Sequence, residues 1–558
     1  MNGSDTLSAV RAGRTGLRVW RGRYGLPDPF CASLFSDAQN AALCQHGLTR
    51  MESLAVASVR RAVAEAGVDV SGSDTIFVLS TTKGDADMLL PGGRDGACRA
   101  VTPAGSAQVI CRETGITTRP VVVDNACVSG LSAVILAARL LELGFYRQAV
   151  VCGAEVQGRF IISGFQSLKA MSAEPCRPFD INRNGMNAGE AAAAMVLVSG
   201  AGAAAGSWRI AAGAVRNDAW HISAPSRQGV GARMALEAVC GRLPHDEIAF
   251  ISAHGTATLF NDQMEAVAIE RAGLAGVPVT CVKGNFGHTM GACGVMETCL
   301  SMLAADCGVV LPVKGFEEPG VSGHISVSAE ERRAGGSTFV KMLSGFGGCN
   351  AALLVTKENI AGDCVSGVAD VRVTHNVRIT ADSVTVDGHH VETRSAGRDM
   401  LTELYKRNGN GAPRFFRMDL LCRLGVVASD LLLEAERGQQ DSNAGGETAD
   451  RAVVLIGSKG SLHADMAYAE TIAGDDFYPS PEKFVYTLPN IVTGEIAIRN
   501  KYHGETEYYM LPCRDAALER RLMIASFADD NTESVIGGWI DCESDSVFEC
   551  DISIIERI

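Results

Sequence analysis

Three places in the chain carry residue types that could do chemistry together: Cys127 in DNACVSG (124–130), His254 in AHGTAT (253–258) and His288 in KGNFGHTMGA (283–292). A thiol becomes a nucleophile when it ionises, and two imidazoles can donate to a developing oxyanion or exchange protons with it. An apolar run, PVVV, precedes Cys127, and a helix-like stretch follows it. This pattern predicts a cysteine on the first turn of a helix that starts where a buried strand ends. The partial positive charge there favours the thiolate and is expected to lower the thiol pKa from its usual ~8.5.

Short β-rich runs at 75–80, 121–124, 149–153 and 193–198 alternate with helical texture, as at Glu52–Ala66 and Leu131–Leu143. Such alternation predicts layered α/β architecture with a sheet buried on both faces. At 558 residues, 47% hydrophobic and 20% charged, the chain is expected to fold into more than one globular unit. A net charge of -14 argues against general nucleic-acid binding. The 18 cysteines form no CxxC pair, so neither a disulfide framework nor a zinc site is expected. With no apolar leader at the N-terminus and no membrane-length apolar run, a cytoplasmic protein is expected.

Past about residue 357 comes a linker-like stretch (358–370), then texture that echoes the beginning of the chain. Segments around Met418, before Met466 and before Cys513 repeat those around Met51, before Met88 and before Cys127, in the same order. A polar insertion at 437–450 is expected to be disordered. The echo suggests a partial duplication.

Taken together, DNACVSG, CRPFDINRNGMNAGEAA (176–192), AHGTAT, KGNFGHTMGA and SGFGGCNA (344–351) resemble the β-ketoacyl-acyl-carrier-protein synthases, in their elongating Cys–His–His branch. The resemblance spans about residues 20–357. It implies a thiolase-like α/β/α/β/α fold of two related halves, about 1–200 and 201–357. The smaller C-terminal α/β module, 371–558, resembles the first half and is expected to be non-catalytic: no His follows Cys513.

By this resemblance Cys127 holds an acyl chain as a thioester, and His254 and His288 stabilise the enolate left when a malonyl group loses CO2. Lys283 orients or tunes the histidines, and Glu265 pairs with Lys283. Phe346 is a gate whose N–H joins that of Cys127 in an oxyanion hole. Thr256 and Thr258 hold a pantetheine arm, and Phe165 lines the acyl pocket unless it is an ordinary core residue. No metal and no bound cofactor are expected, since phosphopantetheine arrives on the carrier protein. The expected partners are an acyl carrier protein, with Arg60 and Arg61 possible contacts, and a second synthase subunit, identical or not. Met186 and Asn187 depart from the family's usual residues and leave chain length open, in fatty-acid or polyene/polyketide-type synthesis. Two other readings stay open: a thiolase or priming malonyl decarboxylase, with Cys349 as a second thiol, and a non-catalytic chain-length partner.

Overall fold

The computed structural model describes residues 3–91, 102–200, 206–241, 243–358, 369–407, 413–439, 450–473 and 479–558. Residues 359–368 of the expected linker and 440–449 of the polar insertion lie outside these.

A capping box starts the first long helix, α1 (Arg50–Ala66): the Thr49 side chain accepts from Glu52 N–H, and Glu52 reaches back to Thr49 N–H. Gly67, in the left-handed region, ends it. Then follow β1 (Thr75–Ser80), α2 (Pro103–Thr114), β2 (Val121–Val123), α3 (Ser129–Glu142), β3 (Gln148–Glu155) and β4 (Ala191–Val198). The strands stand where the sequence runs predicted them, with β1 central. It pairs in parallel with β2 and β3, and β3 pairs antiparallel with β4.

The second half repeats this connectivity through β5 (Arg209–Asn217), α4 (Val230–Cys240), β6 (Phe250–Ser252), α5 (Leu259–Arg271), β7 (Pro278–Thr280), α6 (Cys293–Asp306), β8 (Phe339–Ser344) and β9 (Cys349–Thr356). Here β6 is parallel to β7 and β8, and β9 lies antiparallel between β8 and β5. Helices α3 and α6 lie between the two sheets, touching both, while α1 and α4 pack on the outer faces. The result is the thiolase-like layered α/β fold.

The inner helices meet backbone to backbone. A Cβ on Gly130 would lie 2.8 Å from Gly294 N, and one on Gly294 would lie 2.3 Å from Leu131 N. Glycine at both positions permits this approach. It presses together the two segments that carry Cys127 and His288.

The C-terminal part comprises β10 (Val371–Thr380), β11 (Val384–Val386), α7 (Leu420–Gln439), β12 (Ala452–Gly457), α8 (Leu462–Ala473), α9 (Ile491–Asn500), β13 (Thr506–Met510), α10 (Ala516–Ala525), β14 (Ser534–Ser544) and β15 (Val547–Arg557). Strand β12 is parallel to β13 and β14, and β14 is antiparallel to β15, which is the wiring of β1 to β4. This segment is not a separately packed appendage. Strand β13 pairs antiparallel with β2, setting Tyr509 opposite Val123 and Met510 opposite Val122. Among the described residues, one sheet of 11 strands therefore runs through both parts of the chain. No helix among the described residues is long and apolar enough to cross a membrane.

Candidate active site

Strand β2 delivers the nucleophile segment. Cys127 sits in a single 3-10 turn (Ala126–Val128) just ahead of α3 rather than on its first helical turn. Ala126 carries a φ of 49°, a conformation that L-residues with a Cβ seldom adopt. The turn is locked by Ser129, whose hydroxyl accepts from Asn125 N–H at 2.8 Å and donates to Ala126 O at 2.5 Å. The expected fall in the thiol pKa is absent. Burial pushes Cys127 up to about 12; the Lys283 ammonium works against this, while the Glu155 carboxylate adds to it. Desolvation of the thiolate outweighs the Lys283 charge and the backbone hydrogen bond that act to lower it.

His254 follows β6 in a loop held from below. Glu265, on α5, accepts from the backbone N–H groups of His254 and Gly255, the second at 2.8 Å. The expected Glu265–Lys283 pair is therefore replaced: Glu265 spends its oxygens on the His254 loop, and its burial raises the carboxyl to about 7. The partner of Lys283 is Glu297 on α6, at 2.8 Å. That carboxylate also takes the ammonium of Lys341, from β8, at 2.6 Å. Burial acts to raise the Glu297 carboxyl, but the two ammonium groups outweigh it and hold it below the ordinary range.

His288 is fixed by its backbone and its ring. Its N–H donates to Asn187 O at 2.7 Å, and its Nδ1 accepts from Met290 N–H at 3.2 Å. An Nδ1 that accepts carries no proton, so the neutral ring's proton lies on Nε2. Among the described residues neither His288 Nε2 nor His254 Nδ1 has a hydrogen-bond partner. The two rings stand edge to face, centroids 5.0 Å apart. Burial, then the Lys283 charge, pushes both imidazoles well below their ordinary pKa, and Lys341 adds to this. Both rings are neutral donors rather than cations. Cys127 Sγ and one nitrogen from each ring lie within 4.8 Å of one another.

These three groups line a pocket of about 440 Å³ together with Phe165, Phe346, Thr256 and Thr258. The two threonine hydroxyls are 2.9 Å apart. The loop carrying Phe346 presses on the nucleophile turn: a Cβ on Gly345 would stand 3.1 Å from Cys127 N. The rings of Phe165 and Phe346 lie 6.3 Å apart. Phe484, from the C-terminal part, packs edge-on to Phe165 at 5.2 Å. Asn490, also from that part, donates to Phe346 O at 2.8 Å. Met186 lines the pocket, whereas Asn187 is buried and serves the His288 segment.

Cys349 does not offer a second thiol to the pocket. It is buried at the seam, with Sγ 3.1 Å from both Asn125 Oδ1 and Thr506 Oγ1. Cys513 is exposed. Arg60 bonds Glu113 O at 2.7 Å, and Arg61 pairs with Glu65 on its own helix. Sequence reasoning passed over Glu297 and Lys341. Their signal was a lone acid in the apolar run CGVMETCL and a lone lysine in FVKML. Charges in segments buried on all sides need internal partners.

Two family profiles match: "Beta-ketoacyl synthase, N-terminal domain" over residues 29–203 and "Beta-ketoacyl synthase, C-terminal domain" over residues 208–317. The chain is 31% identical over 278 residues to the tetracenomycin polyketide synthase ketoacyl synthase alpha subunit of Streptomyces glaucescens, covering 46% of this chain and 64% of that one. It is 32% identical over 255 residues to 3-oxoacyl-[acyl-carrier-protein] synthase 2 of Rhizobium meliloti (strain 1021), covering 42% and 60%. It thus spans less than two thirds of these curated relatives. Among solved structures, the PfaC keto synthase–chain length factor superposes with a TM-score of 0.75 at 14% identity, covering 100% of this chain and 77% of that one. At that identity the likeness concerns fold alone.

Proposed function

We propose that this chain, which belongs to the β-ketoacyl synthase family, catalyses a decarboxylative Claisen condensation on carrier-bound thioesters. The observation that carries the reading is one thiol and two imidazoles converging within 4.8 Å on one pocket. In the first half-reaction the Cys127 sulfur attacks an acyl thioester, and its proton leaves with the departing carrier thiol. In the second, a malonyl thioester releases CO2, and the enolate oxygen is held by imidazole N–H donors, His288 Nε2 among them. The enolate carbon then bonds to the acyl carbon, the bond to Cys127 sulfur breaks, the departing thiolate takes a proton from solvent to restore the resting thiol, and a β-ketoacyl thioester two carbons longer results. Burial keeps both rings neutral, and the charge of Lys283 adds to it. Phe346 and Phe165 border the acyl chain, and the threonines suit a pantetheine amide.

The acyl donor is proposed to arrive on an acyl carrier protein, so the enzyme needs no bound cofactor of its own. A reducing cytoplasm suits a reaction that depends on a free thiol. Residues 371–558 are proposed to stand in the place of a partner subunit: their wiring repeats β1 to β4, and β13 occupies the free edge of β2. A fused stand-in of this kind favours polyene or polyketide-type synthesis over primary fatty-acid elongation.

Mass spectrometry of the full-length protein after incubation with acyl-carrier thioesters tests the reading. An acyl adduct on the Cys127 peptide, lost in Cys127→Ala and retained in Cys513→Ser, is expected. His254→Ala and His288→Ala are expected to keep the adduct and to lose CO2 release from malonyl thioester by about 10²-fold or more. Absence of an adduct at Cys127 would sink the proposal.

A further inference from the structure

Lys341 is fully buried, on the strand that leads into the Gly345–Gly348 loop. Opposite it in parallel register stands Ser252, two residues before His254. An ammonium group has three protons to place. Lys341 Nζ donates to Ser252 O at 3.2 Å, to Ala253 O at 3.1 Å and to Glu297 Oε2 at 2.6 Å. All three protons are accounted for by oxygen, which is what an ammonium needs to stay charged out of water. The other oxygen of Glu297 holds Lys283. One contact sphere thus joins the ends of β6 and β8 to α6, the elements that carry His254, Phe346 and, just before α6, His288.

Two consecutive backbone carbonyls and a carboxylate oxygen are hard ligands converging on one point, the donor chemistry of an alkali-metal or ammonium ion. We propose that Ser252 O, Ala253 O and Glu297 Oε2 form a monovalent-cation site that Lys341 fills from within the chain, which makes Lys341 a positioning residue for His254 and the Glu297–Lys283 pair. Lys341 is not among the residues that line the pocket; it acts through the backbone of residues 252–253 and through Glu297. Its charge also adds, after burial and Lys283, to what keeps the rings of His254 and His288 neutral. The cation site stands on geometry alone, whereas its effect on turnover rests on the condensing reading above.

If the cage is a cation site, taking out the lysine side chain leaves an opening that a free cation can occupy. Full-length Lys341→Ala and Lys341→Ser are compared with wild type and with Lys341→Met, whose long uncharged side chain fills the same space. Thermal unfolding is followed in ammonium, potassium or tetramethylammonium chloride at equal ionic strength. The expected result is a saturable rise of the midpoint with ammonium or potassium in the Ala and Ser variants alone, with tetramethylammonium, too large for the cage, giving none. In malonyl-thioester decarboxylation, Lys341→Ala is expected to lose about 10²-fold in kcat with KM little changed, and ammonium is expected to restore at least fivefold. A purely structural lysine would give no cation-specific rescue.

The proposal is overturned if ammonium and potassium act no differently from tetramethylammonium on both small variants, or act equally on wild type. It is equally overturned if neither variant folds even in ammonium, because a filled cage would replace the missing charge. Should wild type itself fail to decarboxylate a malonyl thioester, the condensing reading falls, while the cation-dependent unfolding still decides the site.

Discussion

Cys127 rests as a thiol, and this sets how it reacts. Burial holds its pKa near 12, so at neutral pH the thiolate is a small fraction that grows tenfold per pH unit. Peptide-resolved alkylation of Cys127 by iodoacetamide should therefore climb with unit slope from pH 7 to 9 without levelling; a plateau below pH 9 would contradict a thiol with so raised a pKa. Lys283 is the charge that opposes burial here, so Lys283→Met should slow Cys127 alkylation, by about tenfold for a shift of one pKa unit. The histidines follow the opposite rule. Burial and the lysine charges lower both pKa values well below the ordinary value, so the neutral donors persist as pH falls through 6.5. Decarboxylation of a malonyl thioester should then show no acid limb from histidine protonation near ~6.5, where an unshifted imidazole titrates; a break near 7 would belong to Glu265, the carboxyl that braces the His254 loop. The pH profile of kcat checks this directly.

Elements, more than single side chains, decide whether the thiol and the rings meet. Helices α3 and α6 bring their N-terminal ends together through Gly130 and Gly294, where an added Cβ would fall within 3 Å of the opposing backbone. Gly294→Ala should cost about 1–3 kcal/mol in urea unfolding. It should also lower condensation more than Cys127 acylation, because the displacement separates the His288 segment from the thiol. The strand–turn–helix context of Cys127 and the glycine turns around both histidines were legible in the sequence, because such signals are local. The choice between Glu265 and Glu297 as partner of Lys283 was not. Glu265 is 18 positions before the lysine and Glu297 is 14 after it, and only the packing of α6 against β8 settles which carboxylate reaches the ammonium. Lys341 was overlooked for the same reason: its acceptors are carbonyls of a distant strand end, and backbone oxygens leave no mark in a sequence. The pKa of Cys127 ran against expectation because a local pattern reports the helix terminus and not the depth of burial.

At the scale of the whole molecule, the echo between the beginning and the end of the chain becomes a sheet that crosses from one part into the other. Strand β13 covers the edge of β2, and charged pairs brace the same seam. Arg139, on the helix that follows Cys127, meets Glu505, just before β13, at 2.5 Å, with both side chains under a tenth exposed. Arg216, on β5, meets Asp529 at 2.5 Å. A pair this deeply buried adds little net stability, but removing one member strands the other in a medium that cannot solvate it. Arg139→Met should accordingly lose about 3–5 kcal/mol. The double variant Arg139→Met/Glu505→Met removes both charges and should recover most of the loss, giving a large coupling in a double-mutant cycle. Because α3 begins two residues after the nucleophile, Cys127 acylation should fall in the single variant and return in the double. Additive losses would mean that the seam is a passive contact. Strong coupling, with recovered acylation, would mean that the C-terminal part holds the helix on which the nucleophile turn depends.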